Sequence, residues 1–109
     1  MFVEVLQAPS ISGLEDEQVD EGDDALFKAR VSGVPQPTTT WKHSGSVVTT
    51  SEKYHVEQEG EVTEMRIRGC RESDSGQIHL TATNKAGTSD VQATLTVRGK
   101  IHWMSILDE

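Results

Sequence analysis

"DSGQIHLTATNKAG", residues 74–87, decides how this chain folds. Ile78, Leu80 and Ala82 stand on one parity and His79, Thr81 and Thr83 on the other, the period of a strand with one buried and one solvated face. Asp-Ser-Gly in front and Asn-Lys-Ala-Gly behind supply turn chemistry. "NKAG" (84–87) predicts a hairpin loop in which Gly87 takes the positive φ of a glycine-bulge turn. "DVQATLTV" (90–97) then alternates again, predicting Val91, Ala93, Leu95 and Val97 inward.

The same period extends upstream. "VTEMRIRG" (62–69) puts Met65 and Ile67 inward against outward Arg66 and Arg68. "ALFKARV" (25–31) places Ala25, Phe27, Ala29 and Val31 on one face and Lys28 and Arg30 on the other. "GVPQP" (33–37) breaks that strand, because proline cannot donate to a ladder. Trp41 follows in "TTTWKH", then a short edge candidate "GSVV" (45–48) and "EKYHVE" (52–57). Helix signals are poor throughout, and turn clusters recur every eight to twelve residues or so, the signature of an all-β sandwich of two packed antiparallel sheets.

A chain of 109 residues is one domain with a single two-layer core. No apolar run approaches the roughly 18 residues of a membrane span, and "MFVEVLQAPS" lacks a basic n-region and a small-residue cleavage site. Cys70 is the only cysteine, so no intramolecular disulfide can form, and Asn84 in "NKA" is no glycosylation acceptor. Small secreted domains usually rely on disulfides, so a reducing cytoplasm is expected. The net charge of −8 argues against nucleic acid and anionic membrane as partners. Seven acids fall in "EDEQVDEGDD" (15–24); without them −8 becomes −1, leaving an acidic pole on a nearly balanced surface.

In sum these motifs carry a resemblance. "VDEGDDALFKARVSGVPQPTTTW" resembles the first half of an intermediate-set immunoglobulin domain, with Glu21-Gly22 before the second strand, Gly33-x-Pro35-x-Pro37 after it and the core tryptophan at Trp41. "MRIRGCRESDSGQIHLTATNKAG" is similar to the second half, with Asp74-x-Gly76 at the corner, Ala82-x-Asn84 and Gly87. The resemblance covers roughly residues 8–98 and is nearest to the cytoskeletal modules of titin, obscurin, twitchin and myosin-binding protein C. It implies an immunoglobulin-like β-sandwich over 8–99, with 1–7 a leader from a preceding linker and 100–109 a C-terminal extension. The family's inter-sheet cysteines would fall at Ala29 and Leu80, and its corner tyrosine at Ile78. The absent cross-link would close a loop of about 50 residues, worth roughly 4 kcal/mol in the chain-entropy model. Alanine opposite leucine can fill the space of two half-cystines. Phe27, Ala29, Trp41, Ile67, Ile78, Leu80 and Leu95 are the expected core.

The functional expectation is a non-catalytic spacer and docking module of a giant muscle-type scaffold, cytoplasmic and sarcomeric, with tandem neighbours and partners among other immunoglobulin or cytoskeletal domains. An extracellular adhesion module without its disulfide, or a regulatory module beside a muscle-type kinase, are the alternatives. No phosphate loop, nucleophile elbow or convincing Ser-His-Asp set is present, so no enzyme and no cofactor are expected. His43, His55, His79 and His102 lack metal-ligand spacing, and the acidic run lacks the order of a calcium loop. Cys70 reads as a small buried hydrophobe rather than a redox sensor. Glu15, Asp16, Glu17 and Asp20 are the candidate partner surface for a basic partner. Trp103 joins them from "KIHWMSILDE" (100–109), whose Ile101, Trp103 and Leu107 share the parity of a strand docked on a sheet edge.

Overall fold

A computed structural model describes residues 5–99. Among them run nine strands: β1 (Gln7–Ser12), β2 (Glu17–Asp20), β3 (Ala25–Val34), β4 (Thr38–His43), β5 (Ser46–Val48), β6 (Tyr54–Glu59), β7 (Val62–Ile67), β8 (Gly76–Asn84) and β9 (Gly87–Arg98). A single 3-10 turn, Glu72–Asp74, precedes β8. One sheet has the order β1-β3-β7-β6 and the other β2-β9-β8-β4-β5. All neighbours are antiparallel except β2 and β9, which run parallel from Glu17↔Leu95 to Asp20↔Arg98.

Period-two patterning drives this arrangement. In β3 the burial alternates from Ala25 through Phe27 and Ala29 to Val31, with Lys28 and Arg30 outside. In β8 Ile78, Leu80 and Ala82 are fully buried. All seven expected core residues lie inside, joined by Met65 and Cys70. Val91, also expected inward, is only partly buried and packs against this core.

The cross-link site shows what replaced the disulfide. Ala29 pairs with Thr63 in one sheet, and Trp41 pairs with Leu80 in the other. The Trp41 indole N–H donates across the core to Thr63 Oγ1 at 3.0 Å. Thr63 Oγ1 is in turn 3.2 Å from Thr39 Oγ1, which donates to Gln58 Oε1 at 2.9 Å. A polar chain therefore ties the sheets in the same row where a disulfide would have done so.

Two turns are fixed by backbone demands. β4 and β5 are joined by Ser44 (φ 50°) and Gly45 (φ 87°), both positive, as a two-residue type I′ hairpin requires. In the 84–87 hairpin Gly87 takes the expected positive φ, at 157°, and pairs directly with Asn84 across the turn rather than forming a bulge. The need for glycine in the Gly33-x-Pro35-x-Pro37 motif is steric. A Cβ on Gly33 would sit 2.9 Å from Pro37 Cγ and 3.0 Å from Asn84 Nδ2.

Retained geometry at Ala29 and Leu80 predicts that Ala29→Cys with Leu80→Cys oxidises to an intramolecular disulfide. Oxidised protein should exceed its own reduced form in urea stability by up to about 4 kcal/mol. Three free thiols in the oxidised double variant, counted with a thiol reagent after unfolding, instead of the single Cys70 thiol, would contradict this packing.

Candidate docking surfaces

The acidic run does not form one free patch. Asp16 Oδ1 accepts the Thr94 backbone N–H at 2.8 Å, fastening the entry of β2 to β9. Asp20 Oδ1 lies 2.9 Å from Arg98 Nη2 at the exit of the same strand, and the Glu21 N–H donates to Arg98 O at 2.8 Å. Asp24 Oδ1 accepts the Gly69 N–H at 3.0 Å, and its Oδ2 lies 3.7 Å from Arg66 Nη1. Two of the four expected partner-surface acids, Asp16 and Asp20, thus hold the fold together. Glu15 and Glu17 have no ion pair among the described residues, and Glu15 is exposed. The period-two reading could not see this division, because it depends on which neighbour lies across the β2–β9 pair.

Trp103 and the rest of 100–109 lie outside the described residues. Within them the exposed large hydrophobics are Val5, Leu6, Val34 and Val47. Leu6 and Val34 gather at the pole where β1 begins, since Gln7 pairs with Val34. There Asn84 Nδ2 donates to Gln7 O at 2.8 Å and to Pro35 O at 2.9 Å, and its Oδ1 accepts the Ala86 N–H at 2.8 Å. One amide binds three chain segments at this end.

The opposite pole holds a cluster that spacing rules for metals pass over. His43, on the parity of Trp41, is buried. Its Nε2 is 2.7 Å from Asp74 O and its Nδ1 is 2.8 Å from the Tyr54 hydroxyl. A carbonyl only accepts, so Nε2 carries a proton and donates to it, while Nδ1 shares a hydrogen bond with the Tyr54 hydroxyl. His43 pairs with Ile78 across β4 and β8. In immunoglobulin sandwiches a corner tyrosine at the Ile78 position bonds the backbone a few residues upstream. In this chain the hydrogen bond survives and its donor has moved to the adjacent strand.

Asp74 completes the cluster. Its Oδ2 accepts from Lys53 Nζ at 2.7 Å and from the Arg71 N–H at 2.8 Å. Burial pushes its carboxyl up, but the Lys53 and Arg71 hydrogen bonds outweigh that and hold it below the usual range. Burial first, and the nearby Asp74 charge second, push the Tyr54 hydroxyl and the Cys70 thiol up. Cys70 is fully buried, with its S–H towards Ile67 O at 3.7 Å, so it is an unreactive packing residue. His79 lies on the outer sheet face, half-buried, 3.6 Å from Asp90 Oδ2. Among the described residues no group of three or more His, Cys, Asp or Glu side chains is placed to hold a metal ion. The polar side chains that converge bond one another and the backbone rather than facing an open cleft.

These contacts give two expectations for stability. His43→Leu strands the Asp74 carbonyl and the Tyr54 hydroxyl and should cost about 1–3 kcal/mol in urea unfolding; a cost near zero would show that the corner does not need the bond. Asp74 has a lowered pKa when folded, so its contribution is full above its unfolded value near pH 3.9 and is lost as pH falls below it. Stability measured from about pH 5 downwards should show an acid-limb loss that is reduced in Asp74→Asn. Identical acid limbs in the two proteins would remove Asp74 from the account.

The arrangement matches a known architecture closely. Residues 10–97 match the family model of the immunoglobulin I-set domain. The chain is 36% identical over 94 residues to the muscle M-line assembly protein unc-89 of Caenorhabditis elegans, covering 83% of this chain and 1% of that protein. It is 36% identical over 92 residues to titin of Drosophila melanogaster, covering 84% of this chain and, to the nearest per cent, 0% of that one. The chain therefore spans about 1% or less of the length of these relatives. Among solved structures, titin domains Z1Z2 in complex with telethonin superpose with a TM-score of 0.82 at 27% identity, over 88% of this chain and 49% of that one. With its sheets, its core tryptophan and its corner all in place, and its disulfide replaced, the chain belongs to the immunoglobulin I-set family.

Proposed function

We propose that the domain is a non-catalytic spacer and protein-docking module of a large muscle-type scaffold in the cytoplasm, set among tandem neighbours. The observation that carries this reading is the placement of entry and exit. β1 begins beside Asn84, next to the start of β9, and β9 ends at Arg98 beside Asp20. Twelve residues of β9 separate the two points, about 35 Å of extended chain. A module entered at one pole and left at the other suits serial linkage, and tension along it shears the parallel β2–β9 pair rather than peeling it. Asp16 and Asp20 fasten both ends of that pair. The relatives are muscle proteins by name, and a titin pair of similar fold is solved with a protein partner, which supports the docking half of the reading.

Single-molecule stretching of an array of this domain tests the mechanical half. Asp16→Ala with Asp20→Ala should lower the unfolding force, whereas Glu15→Gln with Glu17→Gln, which removes the same charge from residues without an ion pair among the described residues, should leave it unchanged. Equal forces in all three arrays would show that the β2–β9 pair does not bear the load.

A further inference from the structure

We propose that the outer edge of β5 is the strand-docking edge of this domain, and that it accepts residues 101–107 from a second copy of the chain. Each sheet has two edges, so four strands are exposed to strand addition, and their backbone groups can be accounted for one by one. On β6 the Val56 N–H and C=O are both met by Thr50 Oγ1, at 3.1 and 3.3 Å. The Tyr54 C=O accepts the Ser51 N–H at 2.8 Å, and the Tyr54 N–H donates to Ser51 Oγ at 3.3 Å. On β1 the Gln7 C=O is taken by Asn84 and the Pro9 C=O by Ser89 Oγ at 2.6 Å, while Pro9 has no N–H to offer. β2 is four residues long, and Glu15, Asp16, Glu17, Asp20 and Glu21 line it with negative charge.

Among the described residues β5 has none of these guards. The type I′ turn makes His43 and Ser46 the bonded pair that closes the hairpin, so Val47, one residue on, turns its N–H and C=O away from β4. Its side chain is 61% exposed, the highest value among the large hydrophobics inside a strand. "SGSVVTTS" (44–51) carries no charge in a chain of net −8. Beside it lies a groove of about 340 Å³ that runs from Thr39–Trp41 of β4 to Val47, Val48, Thr49 and Thr50, with Val56 of β6 on its wall. The edge therefore fits an extended segment without charges along its paired stretch.

Residues 101–107, "IHWMSIL", are such a segment, with Ile101, Trp103 and Leu107 on one parity. Their own domain cannot receive them. Val47 lies level with Gln92, through Lys42 and His79, so the site is about 20 Å back from the end of β9. β5 is three strand spacings from β9, and a strand docked outside it would lie at the fourth, about 19 Å across the sheet. From Gly99 the chain reaches Trp103 within about 14 Å and Leu107 within about 28 Å, too short to lay the segment along that edge. The strand must come from another copy. The proposal rests on the docking role inferred above, and it can fail alone: a partner bound at another surface would leave that role intact.

The test uses a synthetic peptide of residues 100–109 and residues 1–99, which contain the whole sandwich. Isotope-labelled 1–99 should show peptide-induced amide shifts concentrated at Ser46–Thr49. Val47→Pro, or proline in place of Met104 in the peptide, should weaken binding by about tenfold or more. The peptide variant leaves the domain untouched, so the result does not depend on Val47→Pro folding. In sedimentation equilibrium the full chain should self-associate, and its 1–99 form should not. Shifts centred on β1, β2 or β6, an absence of shifts at millimolar peptide, or a full chain monomeric at the same concentration each overturn the proposal.

Discussion

The indole of Trp41 has one polar atom, and burying it obliges the fold to supply an acceptor in the middle of an apolar core. Thr63 does so from the opposite sheet, at 3.0 Å. That bond sets how the sheets face each other, because it aligns the Trp41–Leu80 row with the Ala29–Thr63 row. A hydrogen bond of net worth near 1 kcal/mol cannot replace a cross-link of about 4 kcal/mol by itself. The remainder comes from apolar burial: Leu80 and Ile78 are fully buried where a half-cystine and a polar tyrosine would otherwise stand. Burying each such aliphatic side chain contributes roughly 1.5–3 kcal/mol. Stability has been moved from one covalent bond into packing, which is indifferent to redox state.

The corner before β8 follows the same logic. Replacing the corner tyrosine by Ile78 would leave the Asp74 carbonyl without its partner, at a desolvation cost comparable to a lost hydrogen bond. His43 meets it from the neighbouring strand, and Tyr54 orients His43 in turn. Lys53 and the Arg71 N–H then fix the Asp74 side chain, so the whole turn is held by side chains from β4 and β6 and their flanks. An aromatic hydroxyl has been retained at this pole, in a different strand and one step removed from the backbone it supports.

Sequence periodicity made most of this legible, and its failures have physical causes. β3, β4, β7, β8 and β9 alternate cleanly because one face is buried, and the core residues named from that pattern are the ones inside. β1 and β2 carry little alternation, since "QAPSIS" and "EQVD" sit at sheet margins and bury few side chains; only hydrogen bonding to β3 and β9 makes them strands. Gly87 has the positive φ expected of it, but Asn84 pairs with it directly around the turn, so no bulge forms. Thr63 and His43 were on the inward parity of their strands and so were open to detection. Each is buried because it satisfies a partner across the core, and residue type alone does not reveal that partner.

The acidic pole shows where charge counting stops. Summed over 15–24 it looks like a docking surface, yet Asp16, Asp20 and Asp24 are each spent on a backbone N–H or an arginine. Carboxylates do this well because they accept strongly and lie in the solvated margin where desolvation is small. Their residual charge has a second effect: it guards a short, otherwise open strand from pairing with another chain. With β1 and β6 closed by Asn84, Ser89, Thr50 and Ser51, the edges are protected by three different devices. A chain that guards three edges by such varied means and leaves the fourth bare, uncharged and apolar directs strand addition to that fourth edge.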